Sequence, residues 1–136
     1  MTDLILLPTD GSPAAEQAAD RAIDIADERD ADIHALFVVD TRHIGNPALC
    51  STELLIHEYE DNGRELLESL TRRGEQRDID VDTKVCRGDP IDEIKTAVQK
   101  HDPDLTVFGF GDDESRMMTR SMRDKMVQEF EQVMLH

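Results

Sequence analysis

The chain has 136 residues, and 31 acidic against 15 basic side chains give it a formal net charge of −16. That length makes one domain, 1–136, which can bury roughly 70% of the surface its unfolded form exposes. So negative a surface repels phosphate backbones and anionic bilayers, which argues against nucleic acid and membrane as partners.

Leu4-Ile5-Leu6-Leu7 is an unbroken apolar run, the mark of a strand covered on both faces. Pro8-Thr9-Asp10-Gly11 ends it, and Ser12-Pro13 reads as a hydroxyl N-cap followed by proline at the first helical position. Ala15, Ala18, Ala19, Ala22, Ile23 and Ala26 then recur at helical spacing, a narrow face of small side chains suited to close packing on a sheet. Ile33 to Val39 reads as a second strand, followed by an irregular loop, Asp40 to Ser51. A long helix is predicted from about Thr52 to Arg77, with Leu55, Tyr59, Leu66, Leu67 and Leu70 inward and Gly63 as a weak point. Asp78 to Arg87 alternates through Ile79, Val81, Thr83 and Val85, the pattern of a half-exposed edge strand.

Gly88-Asp89-Pro90 starts a third helix, with Asp89 as cap, Asp92 near the positive end of its dipole, and Ile91, Ile94, Ala97, Val98 and His101 as its core face. Leu105-Thr106-Val107-Phe108 makes a fourth strand and runs into Gly109-Phe110-Gly111. Residues from about Ser115 to Phe130 are expected to form a fourth helix, with Met118, Met122, Met126 and Phe130 on one stripe, and Val133-Met134-Leu135 a short last strand. Strands alternating with helices of this length mean right-handed crossovers and a five-stranded parallel, doubly wound α/β sheet of Rossmann-like type.

The acids are spread over every segment, with 19 Asp, 12 Glu and only four Lys against eleven Arg. Such a shell self-repels in dilute buffer and is screened at 1 M salt, where the Debye length is about 3 Å. The expected setting is a halophilic cytoplasm. Met1-Thr2-Asp3 lacks a basic leader region, and no apolar run approaches a membrane span.

In an open parallel sheet, ligands bind beyond the carboxyl ends of the strands where strand order reverses. That directs attention to Thr9-Asp10-Gly11-Ser12 and to the segment Gly109 to Glu114. Asp10 in this position serves either as a hydrogen-bond acceptor for a ribose hydroxyl or adenine amine, or as a self-bonding turn residue.

The stretches Leu4 to Ser12, Ala31 to Asp40, Gly88 to Ile94 and Asp102 to Gly109, in this order and spacing, together resemble the universal stress protein family. The resemblance covers the whole chain. It implies a sheet of the adenine nucleotide alpha hydrolase-like type, a homodimer paired through the last strand (here Val133, Met134 and Leu135), and, in one branch, bound ATP. It makes Pro8, Thr9, Asp10, Val39 and Gly109 the nucleotide-facing set. In that branch the phosphates lie in a loop of pattern Gly-x-x-Gly, nine residues, then Gly-Ser or Gly-Thr, where glycines let backbone N–H groups close on the anion.

This chain departs from the pattern. Asp112 stands at the second glycine position, Met122-Arg123 replace Gly-Ser, and no glycine follows Gly111. Asp112-Asp113-Glu114 would also repel a phosphate, each like-charge contact costing about 4 kcal/mol at ~4 Å and an effective dielectric near 20. The expectation is a non-enzymatic stress-response binding module without a cofactor, ATP and AMP being disfavoured. The alternative is an adenine-nucleotide binder with weak or no hydrolysis. A phosphoacceptor receiver domain is excluded, because the third strand ends Val85-Cys86-Arg87-Gly88 without the Asp that chemistry needs.

Arg116, Arg120 and Arg123 share a face that nearby Asp124 and Glu114 balance, and the five histidines show no metal-ligand spacing. Cys86 is expected to be buried and inert, and Cys50 to be the exposed thiol. The charge reading predicts a melting temperature that climbs from dilute buffer to molar KCl, followed by circular dichroism. A flat profile would count against it.

Overall fold

The computed structural model describes residues 3–40, 50–109 and 116–119. Its elements are β1 (Leu4–Thr9), α1 (Pro13–Arg29), β2 (Asp32–Asp40), α2 (Cys50–Glu75), β3 (Val81–Gly88), α3 (Pro90–His101), β4 (Leu105–Phe108) and β5 (Arg116–Thr119). The strands form one sheet in the order β3-β2-β1-β4-β5. β1 runs parallel to both β2 and β4, and β2 runs parallel to β3.

Four strands are therefore parallel, not five. The fifth, β5, pairs antiparallel with β4, Leu105 opposite Thr119 and Phe108 opposite Arg116. This overturns the helix expected to begin near Ser115. Its first residues instead fold back along β4, whose backbone would otherwise be left unpaired on that edge. The rest of that helix and the Val133-Met134-Leu135 strand lie outside the described residues.

Side chains of β1 alternate between two layers. Ile5 and Leu7 pack with the alanine face of α1 and with Leu67 and Leu70 of α2. Leu6 packs with Leu36, Val38 and Phe108 against Ile94, Ala97 and Val98 of α3. All six alanine and isoleucine positions predicted for the α1 core are buried, and so is Ala14. The Ser12 hydroxyl caps α1 by accepting from the Ala15 N–H at 3.2 Å. Asp89 caps α3 by accepting from the Ile91 N–H at 2.9 Å. Both helices end in a left-handed aspartate, Asp30 and Asp102.

Helix α2 corrects part of the expected pattern. Its buried stripe is Ile56, Glu60, Gly63, Leu67, Leu70 and Gly74, while Leu66 is half-buried and Tyr59 is 44% exposed. The Leu55 side chain lies outside the described residues. Gly63 is not a weak point but the place where α2 lies on the Phe37 ring; a Cβ there would stand 2.5 Å from that ring. The last turn of α2 and the turn that follows it are tied to α1 by charge. Arg77 bonds Asp24 and Asp27, each at 2.8 Å, and Arg73 bonds Asp20. No helix among the described residues is long and apolar enough to cross a membrane.

His34 of β2 is 4% exposed. Its Nδ1 donates to the Asp82 carboxylate of β3 at 3.2 Å, and its ring lies 4.1 Å, centroid to centroid, from that of His101 at the end of α3. Its Nε2 is buried without a hydrogen-bond partner in the described structure. Burial first, and the His101 charge second, hold the His34 pKa below its ordinary value of 6.5, against the pull of Asp82. The unfolded chain thus takes up this proton first as pH falls. The stability His34 allows is fully present above pH 6.5 and is lost as pH drops through the lowered folded value. Urea unfolding between pH 7.5 and 5 should lose stability with a slope of at most ~1.4 kcal/mol per pH unit, the limit for one proton. His34→Phe should remove that component; an unchanged slope would assign it to other groups.

Candidate functional site

β1 lies between β2 and β4, so the chain leaves the sheet in opposite directions from the two sides of this strand. The carboxyl ends of β1 and β4 therefore flank the crevice at which an open α/β sheet receives a ligand. The Thr9-Asp10-Gly11-Ser12 turn and Gly109 both lie there.

Pro8 and Thr9 are buried, whereas Asp10 is exposed at the tip of the turn. Thr9 Oγ1 accepts from the Gly11 N–H at 3.3 Å, and Asp10 Oδ1 accepts from the Ser12 N–H at 2.9 Å. Gly11 takes a φ of 77°, which closes the turn. With the Ser12 hydroxyl on the Ala15 N–H, three successive side chains satisfy backbone donors at the start of α1. Asp10 thus does make the turn bond, one of its two sequence-level readings.

Gly109 stands at the other wall. A Cβ at this position would stand 2.6 Å from the carbonyl carbon of Ala14 and closer still to its oxygen. Glycine here lets the end of β4 lie directly against the first turn of α1, which sets the width of the crevice. Thr9 is level with Phe37 on the neighbouring strand, so Val39 stands two residues further out along β2, 3% exposed and facing the α1–α2 layer. Pro8, Thr9, Asp10 and Gly109 are brought together at one strand end, and Val39 flanks them.

An ion pair that the sequence pattern did not reveal lies beside Val39. Arg87 of β3 is in register with Val39, and its Nε and Nη2 donate to the two carboxylate oxygens of Glu60 at 3.1 and 2.8 Å. His57 Nδ1 lies 3.3 Å from the same carboxylate. The Glu60 side chain is 11% exposed. The Arg87 hydrogen bonds hold its carboxyl below the usual carboxylate range, although burial pushes the other way. One signal was available. Glu60 occupies the buried stripe of α2 between Ile56 and Gly63, and an acid on an apolar stripe calls for a cation opposite.

Cys86, also on β3, is half-buried, and burial followed by the nearby Glu93 charge pushes its thiol up to about 11. It is a protonated, unreactive group at neutral pH. The Cys50 side chain lies outside the described residues.

The tight seat of Gly109 generates a stability prediction. Gly109→Ala should cost about 1–3 kcal/mol in urea unfolding, the range for forced overpacking, by prising β4 from α1. Stability equal to the parent would mean the wall is soft and the crevice width is set elsewhere.

A family model, the universal stress protein family, matches residues 1–131 of the chain. A curated relative, universal stress protein MJ0531 of Methanocaldococcus jannaschii, is 37% identical over 106 residues, which is 77% of this chain and 62% of that protein. The chain thus spans less than two thirds of that relative's length. Among solved structures, universal stress protein UspA from Lactobacillus plantarum superposes with a TM-score of 0.74 at 27% identity, covering 82% of this chain and 79% of that one. A family protein from Arabidopsis thaliana, solved with AMP bound, superposes with a TM-score of 0.61 at 17% identity, covering 79% and 76%. With the sheet order and the β1–β4 crevice already in place, these matches settle the family: the chain belongs to the universal stress proteins.

Proposed function

We propose that this chain is a non-enzymatic, dimeric binding module of the stress response, of the family's branch that does not hold ATP, working in the cytoplasm of a halophile. The observation that carries the reading is the closed turn at the start of α1. A helix N-terminus grips phosphate through its free backbone N–H groups. Here Thr9, Asp10 and Ser12 occupy the N–H groups of Gly11, Ser12 and Ala15. Pro13 supplies no N–H at all. The sequence beyond β4 supports the same reading, with acids at 112–114 and no glycine after Gly111. The acids, spread along the chain, and the α1–α2 ion pairs support the halophilic assignment.

A second reading is an adenine-nucleotide binder that holds the nucleoside end and neglects the phosphates. The Arabidopsis neighbour with AMP bound favours it, as does the position of Asp10 at the crevice. Purification in molar KCl, denaturation and chromatography of the released small molecules separates the two. The first reading expects no stoichiometric nucleotide and no calorimetric heat with the magnesium complex of ATP. Retained AMP that is lost with Asp10→Ala would establish the second. Tight ATP binding would overturn both in favour of the ATP branch.

A further inference from the structure

β3 ends the sheet. It pairs with β2 along its full length, from Val81 opposite Ile33 to Gly88 opposite Asp40, and with no other strand among the described residues. An eight-residue edge strand leaves a row of outward N–H and C=O groups, a template for another strand. Natural sheets blunt such edges with short strands, prolines or bulges. β3 has no proline, and its pairing register runs without interruption, so among the described residues charge is the guard that remains.

That charge has a definite sign. Beside the free edge, under the overhang of α2, lies a groove of about 540 Å³. Leu67 and Val85 give it an apolar lining, and Arg64 and Arg72 stand over it with one acid, Glu68, while Lys84, alternating with Val85, carries a third cation on the other face of the same strand, toward His34 and Cys86. In a chain with twice as many acids as bases, this is a local reversal. Arg64 is paired with Asp61 at 2.9 Å, whereas neither Arg72 nor Lys84 has an ion-pair partner among the described residues. The contrast along α2 is instructive. Arg73, and Arg77 just past the end of the helix, turn to α1 and are met by Asp20, Asp24 and Asp27, while Arg72 turns away from those acids to the groove.

We propose that the groove between α2 and the free edge of β3 receives an acidic, extended peptide segment of a partner protein, which adds to the sheet as a further strand. Backbone pairing to β3 supplies the generic affinity and alternate side chains the selectivity, as in strand addition generally. Apolar or β-branched residues of the segment sit over Leu67 and Val85 beneath Arg72, and the acids that alternate with them fall on the other face, beside Lys84. A nucleic acid of the same charge sign is a poorer occupant, because the rest of the surface repels a long polyanion. This site is on the opposite flank of the sheet from the β1–β4 crevice and does not depend on what that crevice binds.

The test uses the full-length protein at the lowest KCl concentration at which it melts cooperatively. The probe is a fluorescein-labelled peptide, three repeats of Glu-Val-Asp-Thr, read by anisotropy. The expected result is saturable binding that weakens at least about tenfold in Arg72→Glu and again in Lys84→Glu, both exposed positions whose melting should match the parent. N-methylation of alternate peptide residues should abolish binding, since it removes strand pairing and keeps the charge. Absence of saturable binding overturns the proposal. So does equal binding of the N-methylated peptide, which would make the contact electrostatic only, or indifference to both charge reversals. Sedimentation of the unliganded protein closes the remaining route. A dimer that Lys84→Glu dissociates would show that a second copy occupies the edge and would likewise overturn the peptide assignment.

Discussion

Ile5, Leu6 and Leu7 are all between 0 and 1% exposed, so β1 has no face and no edge on which it could meet water. Its backbone groups must be paired on both sides, and its side chains must be covered above and below. Those two demands set the rest of the molecule. β2 and β4 are placed to either side, α1 and α2 form one layer, and α3 forms the other. Pairing at the amino end is exact in register, Leu4 donating to the Asp104 carboxylate and accepting from the Asp104 N–H, each at 2.9 Å. The reversal of strand order around β1, and with it the crevice of the family, follows from the same burial.

Small residues carry the close packing that this arrangement requires. The alanine face of α1 lets that helix approach the sheet, and Gly109 lets β4 lie against its first turn. Gly63 does the same for α2 over Phe37, at a helix-propensity cost of about 1 kcal/mol that the buried contact offsets. Aspartates occupy the outer face of α1, where they are hydrated or paired with Arg73 and Arg77. Exposed pairs of this kind are screened by solvent and add little to the fold's stability.

The two flanks of the sheet are chemically unlike. At the β1–β4 crevice the N–H groups of Gly11, Ser12 and Ala15 are taken by Thr9, Asp10 and Ser12. The β3 flank has an edge that no other described strand pairs, an apolar lining, and cations at Arg72 and Lys84 without ion-pair partners among the described residues. Between them the Glu60–Arg87 pair fastens α2 to β3.

What the amino-acid order determined by itself was every feature set by near neighbours. β1, the caps at Ser12 and Asp89, the alanine face of α1, the core face of α3, and β4 all follow from propensity and periodicity over a few residues. The turn at Thr9 to Ser12 was legible for the same reason, its hydrogen bonds spanning two or three residues. Tertiary structure alone decided the reversal of Arg116–Thr119 into β5, the exposure of Tyr59, the need for Gly63, and the meeting of Glu60 with Arg87 across 27 positions. Each depends on which strand lies at an edge and which helix overhangs it. Local pattern is blind to that order, because the energy that selects it comes from burial between segments far apart in the chain.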